Sequence, residues 1–533
     1  MSQKYPVDSV PPFLRLSPEI LRLAFGYFCP HCRGDYKQAF RDWDSSSRDN
    51  IFTLHSLCLV ARYFRVIAQE ILHHVFDVTW CRTLHSSPWE RFLRTIASRP
   101  DLARSVNAVV LRPIVVKRLN YNNSRDVFHA CAQLLGTTAP GIYPTRQTDQ
   151  RQGPSSIEKA FFLGQPMPDR IKAEECIPII ASELLTITVA ILPRLTHLGF
   201  APEELYDITY DEYPIPSLLW ALDISPSTLD ALGVTTLPLK TLESDHGLPE
   251  LMRRATSVKT LITSANSQFH NMKSLEELHI STYDHLSRTG MQRCISACTG
   301  NLSTFSYTAS NPDSANVIES LTKMGLHNGL KSIKLDLRCW PTCGYISPIS
   351  SFQLFSKVTT LVIPACPIYG SEYANLNPQS LVDILPPNVE SLTIVEHETP
   401  TPPGLLHQDL QRLASVKTTR FRNLREIISD SIQLSDEDLA ITSHSGQNAA
   451  AYGPTMAVAM AISLLGIIIT TALGPEYKGS HFELAKVAGR EMEAKVKSGD
   501  MGMDHARINK AEMEMCEDVA SITVQCPKLM GVV

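Results

Sequence analysis

One pattern constrains this chain before anything else: a short hexad of the form apolar-x-x-apolar-x-apolar that keeps returning. It stands at Leu195-Thr196-His197-Leu198-Gly199-Phe200, Leu275-Glu276-Glu277-Leu278-His279-Ile280, Leu302-Ser303-Thr304-Phe305-Ser306-Tyr307, Leu330-Lys331-Ser332-Ile333-Lys334-Leu335, Val358-Thr359-Thr360-Leu361-Val362-Ile363 and Val389-Glu390-Ser391-Leu392-Thr393-Ile394. A shorter copy is Val258-Lys259-Thr260-Leu261, and Val106, Val109 and Leu111 form an early one. From Leu275 to Val389 the copies begin roughly 27 to 31 residues apart. Alternation over so few residues marks short strands, and helix-like runs such as 315–324 and 379–385 precede them. A unit of helix, turn and strand cannot bury its apolar positions alone, but stacked copies can, at roughly 1.5–3 kcal/mol per buried side chain. The expected fold class is α/β, with residues 105–430 forming a curved helix-and-strand solenoid, strands inside and helices outside.

This period resembles that of the longer leucine-rich repeats. The copies are degenerate, since the Asn or Cys usual later in that motif is missing. Residues 121–170 interrupt them with a polar stretch rich in Pro, Gly, Gln and Arg, read as a helix over Asp126–Leu135 followed by a long loop.

The N-terminal region follows another rhythm. In Leu16–Phe28, Ser17 suits a helix cap and Pro18 the first helical position, while Ile20, Leu21, Ala24, Phe25 and Phe28 recur at helical spacing. The sequence from Cys29 to Asn50 is polar and reads as a loop. Leu54, Leu57, Ala61, Phe64 and Ala68 then form one apolar stripe, and Ile67, Ile71, Leu72, Val75 and Phe76 a second, enough for two further helices. Three short helices over residues 12–80 make a domain with a thin core that leans on a partner. Residues 81–104 read as a linker carrying a helix ended by Pro100.

Leu16-Ser17-Pro18-Glu19-Ile20-Leu21, followed by Leu54-His55-Ser56-Leu57-Cys58-Leu59-Val60-Ala61-Arg62-Tyr63-Phe64, resembles the F-box. Ser17 stands where that family prefers Pro, Ala61 where it often has Cys, and the intervening loop is longer than usual. The resemblance implies that Leu16, Pro18, Glu19, Ile20, Leu21, Phe25, Leu54, Leu57, Leu59, Val60 and Phe64 bind a Skp-type adaptor of a cullin ubiquitin ligase. The chain would then be the substrate-recognition subunit, with the solenoid holding a protein substrate. A scaffold built from the same parts but acting outside a ligase is the alternative.

Other classes fall away on chemistry. With 49 Lys and Arg against 54 Asp and Glu there is no basic stripe, so nucleic acid is not an expected partner. Thirteen scattered cysteines and no leader-like stretch in Met1–Val10 point to a reducing cytoplasmic or nuclear setting, which makes the sequons at Asn122 and Asn301 accidental. Lacking a phosphate loop, a nucleophile elbow or a His-Glu-x-x-His helix, the sequence predicts no enzyme, no catalytic residue and no cofactor. Cys29-Pro30-His31-Cys32 has metal-ligand spacing, but no second pair follows and a closed zinc site needs four ligands, so no metal is expected. His73 and His74 read as surface or packing residues of the third helix.

The C-terminal end changes character. After a linker at 431–455, Met456–Leu473 is an uncharged apolar run, within a helix expected over 456–474, long enough to span a bilayer or to cap the solenoid, with a polar tail over 475–533. Leu473-Gly474-Pro475-Glu476-Tyr477-Lys478-Gly479-Ser480-His481-Phe482 resembles the end of a major-facilitator carboxylate transporter, which would make the chain a fusion carrying a transporter fragment. One span cannot enclose a transport pathway. Asp436, Glu437 and Asp438 precede the run while Lys478, Lys486, Arg490, Lys495 and Lys497 follow it. That bias holds the tail in the cytosol and would send the N-terminal helices to the far side, away from a ligase. The working protein is therefore expected to end near residue 435.

Overall fold

The computed structural model describes residues 16–34, 45–77, 87–147, 156–165, 173–200, 222–244, 247–263, 272–282, 288–296, 298, 301–309, 314–337, 349–369, 380–395 and 404–429. Among these residues the fold is mixed α/β around one parallel sheet of eleven strands: β1 Val75–Asp77, β2 Ala108–Leu111, β3 His197–Phe200, β4 Thr241–Ser244, β5 Thr260–Thr263, β6 Glu277–Thr282, β7 Thr304–Ala309, β8 Ser332–Leu337, β9 Thr360–Pro364, β10 Ser391–Val395 and β11 Glu426–Ser429. Their order in the sheet is their order in the chain.

The hexad explains the stacking. Its second apolar position enters each strand and meets the same position of the next: Val109, Leu198, Leu242, Leu261, Leu278, Phe305, Ile333, Leu361 and Leu392 stand in register, all buried. The backbone holds that register. The residue before each strand offers its carbonyl to two amides of the next turn, beginning with His74 O, which accepts from Asn107 N at 2.9 Å and Ala108 N at 3.0 Å. The carbonyls of Asn107, Thr196, Lys240, Lys259, Glu276, Ser303, Lys331, Thr359 and Glu390 repeat the arrangement. Three strands lie where no hexad was read. β4 and β11 follow Leu239 and Leu424, which occupy the first apolar position, but Ser244 and Ser429 replace the third; β1 is too short to show a period.

Among the described residues, four helices precede the sheet's first strand and share a core of their own: α1 Pro18–Gly26, α2 Pro30–Arg33, α3 Ser45–Val60 and α4 Arg62–Leu72. Their core is Leu21, Phe25, Cys29, Leu54, Phe64, Ile67, Ala68 and Ile71, with Phe25 and Phe64 edge to face at 5.5 Å. Two expectations need correcting here. Helix α3 starts at Ser45, inside the stretch read as loop, and Ala61 takes an extended backbone that breaks the Leu54–Ala68 stripe into two helices.

The remaining helices are α5 Pro88–Ser98, α6 Pro100–Ala103, α7 Pro113–Lys117, α8 Tyr121–Leu134, α9 Ala139–Gln147, α10 Ser156–Leu163, α11 Ala173–Ile191, α12 Pro226–Ala231, α13 Pro249–Arg254, α14 Arg288–Ser296, α15 Ser314–Lys323, α16 Cys366–Tyr369, α17 Leu381–Ile384 and α18 Leu405–Arg420. Helix α5 is no linker: Trp89, Leu93 and Ile96 are fully buried in the main core, and Trp89 Nε1 donates to Thr188 Oγ1 at 3.1 Å. The sheet also begins at Val75, inside the region assigned to the N-terminal domain. Residues 121–170 carry three helices instead of one. Phe128, Phe161 and Phe162 pack edge-on and tilted at 5.3–5.5 Å, and the buried Glu90 accepts from Asn120 N at 2.8 Å and Ser124 Oγ at 2.5 Å. Asn120 Oδ1 caps α8 by accepting from Asn122 N and Asn123 N, and the long-range carboxylate of Glu90 anchors that cap.

Two short helices take their caps from elsewhere in the fold. α13 and α17 have no capping side chain of their own. Asp223 accepts from Glu250 N and Leu251 N at 2.9 and 3.1 Å, and the buried Asp409 of α18 accepts from Leu381 N at 2.7 Å and Ser380 Oγ at 2.8 Å. Asp409→Ala leaves a buried amide unpaired and is expected to lower stability by about 1–3 kcal/mol, with Asp409→Asn losing less. Urea unfolding of the two variants checks this; equal midpoints would show that Asp409 does not hold α17.

Among the described residues, no helix is long and apolar enough to cross a membrane. The linker at 431–455, the run Met456–Leu473 and the tail at 475–533 lie outside the described residues.

Candidate docking face on the N-terminal helices

Each of the three longer N-terminal helices is apolar on two sides. In α1, Leu21 and Phe25 face the core, while Ile20, Leu23 and Tyr27 form a second stripe that is 50%, 75% and 46% exposed. Helix α3 buries Leu54 and exposes Phe52 and Leu59, and Val60 follows at its end. Helix α4 buries Phe64, Ile67, Ala68 and Ile71 and exposes Tyr63 and Val66. An amphipathic helix at a protein surface ordinarily turns polar residues outward. Among the described residues, eight of the thirteen large apolar side chains that stand exposed belong to this small unit, which concentrates apolar surface where the core is thinnest.

Local contacts hold the face in shape. Ser17 caps α1, its Oγ accepting from Ile20 N at 3.5 Å, and Pro18 supplies the first helical residue. Glu19 lies in the first turn, where its own amide and then the Ser17 hydroxyl hold its carboxyl below the usual range. Tyr63 Oη donates to Leu16 O at 3.0 Å, tying α4 to the start of α1, and Arg65 Nε donates to Cys58 O at 3.1 Å across the α3–α4 break. Arg22 and Glu70 add a half-exposed ion pair at 3.4 Å.

The sequence-derived set of docking residues divides in two. Pro18, Glu19, Ile20, Leu59 and Val60 are exposed. Leu16 and Leu57 are half-buried against the core. Leu21, Phe25, Leu54 and Phe64 are buried within the helical unit and can only shape the face from beneath. Leu23, Tyr27, Phe52, Tyr63 and Val66 stand exposed and were passed over. A helical wheel would have offered Leu23 and Tyr27, three and seven residues after Ile20, as a stripe distinct from Leu21 and Phe25.

The sheet offers a second surface. On the face opposite the buried hexad positions, Thr241, Thr260, Glu277, Thr304, Ser332, Thr360 and Ser391 stand side by side in register, each half-buried. Thr260 Oγ1 donates to Glu277 Oε2 at 3.2 Å, and Ser391 Oγ donates to Glu426 Oε2 at 3.1 Å. At one end of this row His197 Nε2 lies 2.7 Å from Glu243 Oε1, both side chains buried. Gly199 makes room there, since a Cβ would meet Val110 Cγ2 at 3.1 Å.

A third cluster was missed for want of a partner in sequence. His74, forty-two residues after Cys32, comes back beside Cys29, His31 and Cys32, so that four donor atoms lie within 4.8 Å of one another. Cys32 Sγ is 3.2 Å from His74 Nδ1 and 4.0 Å from His31 Nδ1, and Cys29 Sγ is 3.9 Å from His74 Nδ1. The hydrogen bond from Cys29, then those from His31 and His74, hold the Cys32 thiol far below its ordinary value; the same Cys29–Cys32 bond, then burial, pushes Cys29 up.

No protein-family model matches this sequence, and no curated protein matches it significantly.

Proposed function

We propose that this chain is the substrate-recognition subunit of a Skp–cullin–F-box type ubiquitin ligase, a non-catalytic receptor built from an F-box and degenerate leucine-rich repeats. The observation that carries the reading is the doubled apolar character of α1, α3 and α4: a unit with so small a core leaves Ile20, Leu23, Tyr27, Leu59, Val60 and Val66 in water. Covering such a surface is what a helical adaptor does, and Ile20, Leu59 and Val60 of that surface lie in the Leu16–Leu21 and Leu54–Phe64 segments that resemble the F-box. The single-file parallel sheet supports the second half of the reading. Its row of Thr, Ser and Glu side chains offers donors and acceptors at strand spacing, suited to a polar protein segment.

The test is reconstitution of the full chain with a Skp-type adaptor and a cullin scaffold. A stoichiometric complex by size-exclusion chromatography, able to bring the cullin along through the adaptor, is the expected result. Failure of the full, folded chain to form any complex with the adaptor would overturn the assignment.

A further inference from the structure

We propose that Cys29, His31, Cys32 and His74 form a structural zinc site that staples α2 to the end of α4. The argument starts from geometry. Tetrahedral zinc with two sulfurs at about 2.3 Å and two nitrogens at about 2.0–2.1 Å requires its donors to stand roughly 3.3–3.8 Å apart. Three of the four thiol–imidazole separations, 3.2, 3.9 and 4.0 Å, bracket that range, and no pair in the set exceeds 4.8 Å. Closing onto a metal needs movements of an ångström or less. The donors, two soft thiols and two imidazoles, are the set that favours zinc over magnesium or calcium.

The scaffold around the donors is built from unrelated parts of the fold. Cys29 sits in the core of the helical unit beside Leu21 and Phe25. His31 and Cys32 lie on the single turn of α2, which ends at Gly34 in a left-handed conformation whose N–H bonds to His31 O. Helix α1 approaches closely enough that a Cβ at Gly26 would touch Cys32 Cβ at 3.4 Å. His74 arrives from the other side. Its amide bonds to Ile71 O at 3.0 Å, and its carbonyl is the first rung of the sheet, accepting from Asn107 and Ala108. The neighbouring His73 is committed elsewhere, its Nδ1 lying 2.8 Å from Gln69 O.

Four protein donors leave no open position for substrate, so the metal's work is to hold structure. It would join His74, whose carbonyl opens the sheet ladder, to Cys29 at the start of α2 and to the α2 turn itself, at the junction between the helical unit and the strands. A domain this small commonly takes such a staple where its apolar core falls short. The site stands apart from the proposed adaptor docking and does not depend on it.

The full chain, purified under reducing conditions without chelator, is expected to carry one zinc per molecule by mass spectrometry of the metal. X-ray absorption should then show two sulfur and two nitrogen neighbours. Cys32→Ser and His74→Ala should lose most of the zinc, whereas Cys58→Ser and Cys294→Ser should keep it. Cys32→His, which retains four donors, should keep the metal with one sulfur and three nitrogens in its shell, separating loss of a ligand from loss of folding. Full chain that stays free of zinc on titration while its thiols are reduced would overturn the proposal. So would zinc held with an unchanged two-sulfur shell in Cys32→Ser, or a Cys29–Cys32 disulfide that reductant and zinc together do not replace.

Discussion

Placing Asp at both Ile20 and Val60 should abolish capture of a Skp-type adaptor by the full chain while leaving its unfolding transition nearly unchanged. Both side chains are about half exposed, at 50% and 45%, so charging them costs the free protein little. In a complex each carboxylate would be buried against apolar surface with no partner. A well-packed anchor lost this way costs about 2–4 kcal/mol, and each 1.4 kcal/mol is roughly tenfold in affinity. The double variant is therefore expected to bind at least about 100-fold more weakly. Phe64→Ala is the contrasting change. Phe64 is 2% exposed and packs edge-on against Phe25, so its truncation should lower stability by about 3–5 kcal/mol and impair capture only through unfolding. Isothermal titration with thermal melts of each variant separates the cases. Capture by the Ile20, Val60 double variant at wild-type affinity would remove the exposed stripe from the interface.

Trp89→Ala should produce the largest loss of stability from a single substitution in the first part of the sheet domain. Trp89 is fully buried on α5, in the same core as Leu93, Ile96, Val109 and Leu198, and its indole N–H is bonded to Thr188 of α11. Removing the ring leaves a large cavity, at about 3–5 kcal/mol, a sizeable part of the roughly 5–15 kcal/mol that holds a typical domain. Trp89→Phe keeps most of the volume and should cost less, about 1 kcal/mol for the hydrogen bond plus a smaller cavity term. Because each turn of such a stack contacts mainly its neighbours, the damage should centre on residues 88–200 and fade toward β9 and β10. Hydrogen exchange read by mass spectrometry resolves the two regions. A Trp89→Ala chain with wild-type protection over 88–200 would mean that α5 is the linker its sequence position suggested.

What the sequence determined by itself was whatever repeats or caps locally. The hexads at Leu195, Val258, Leu275, Leu302, Leu330, Val358 and Val389 each became a strand, because alternating apolar positions have one way to stack on a like neighbour. Ser17 and Pro18 set the start of α1 for the same reason, since a cap acts within one turn.

Only the tertiary structure decided which side of a two-sided helix faces inward. Periodicity places Ile20 and Leu21 on one broad apolar arc, and it took Phe64 and Ile67 of α4 to bury Leu21 and leave Ile20 outside. Glu90, thirty residues before Asn120, likewise anchors the start of α8 from a distance, accepting from the Asn120 amide and the Ser124 hydroxyl, while Asn120 itself caps the next amides. His74 is the clearest case. Nothing near Cys29-Pro30-His31-Cys32 in sequence completes a four-donor set, and the fourth donor arrives because α4 returns the chain past α2 just as the sheet begins. Local spacing encodes what neighbouring residues can do together, whereas a donor carried across forty-two positions is set by packing, which a linear pattern does not record.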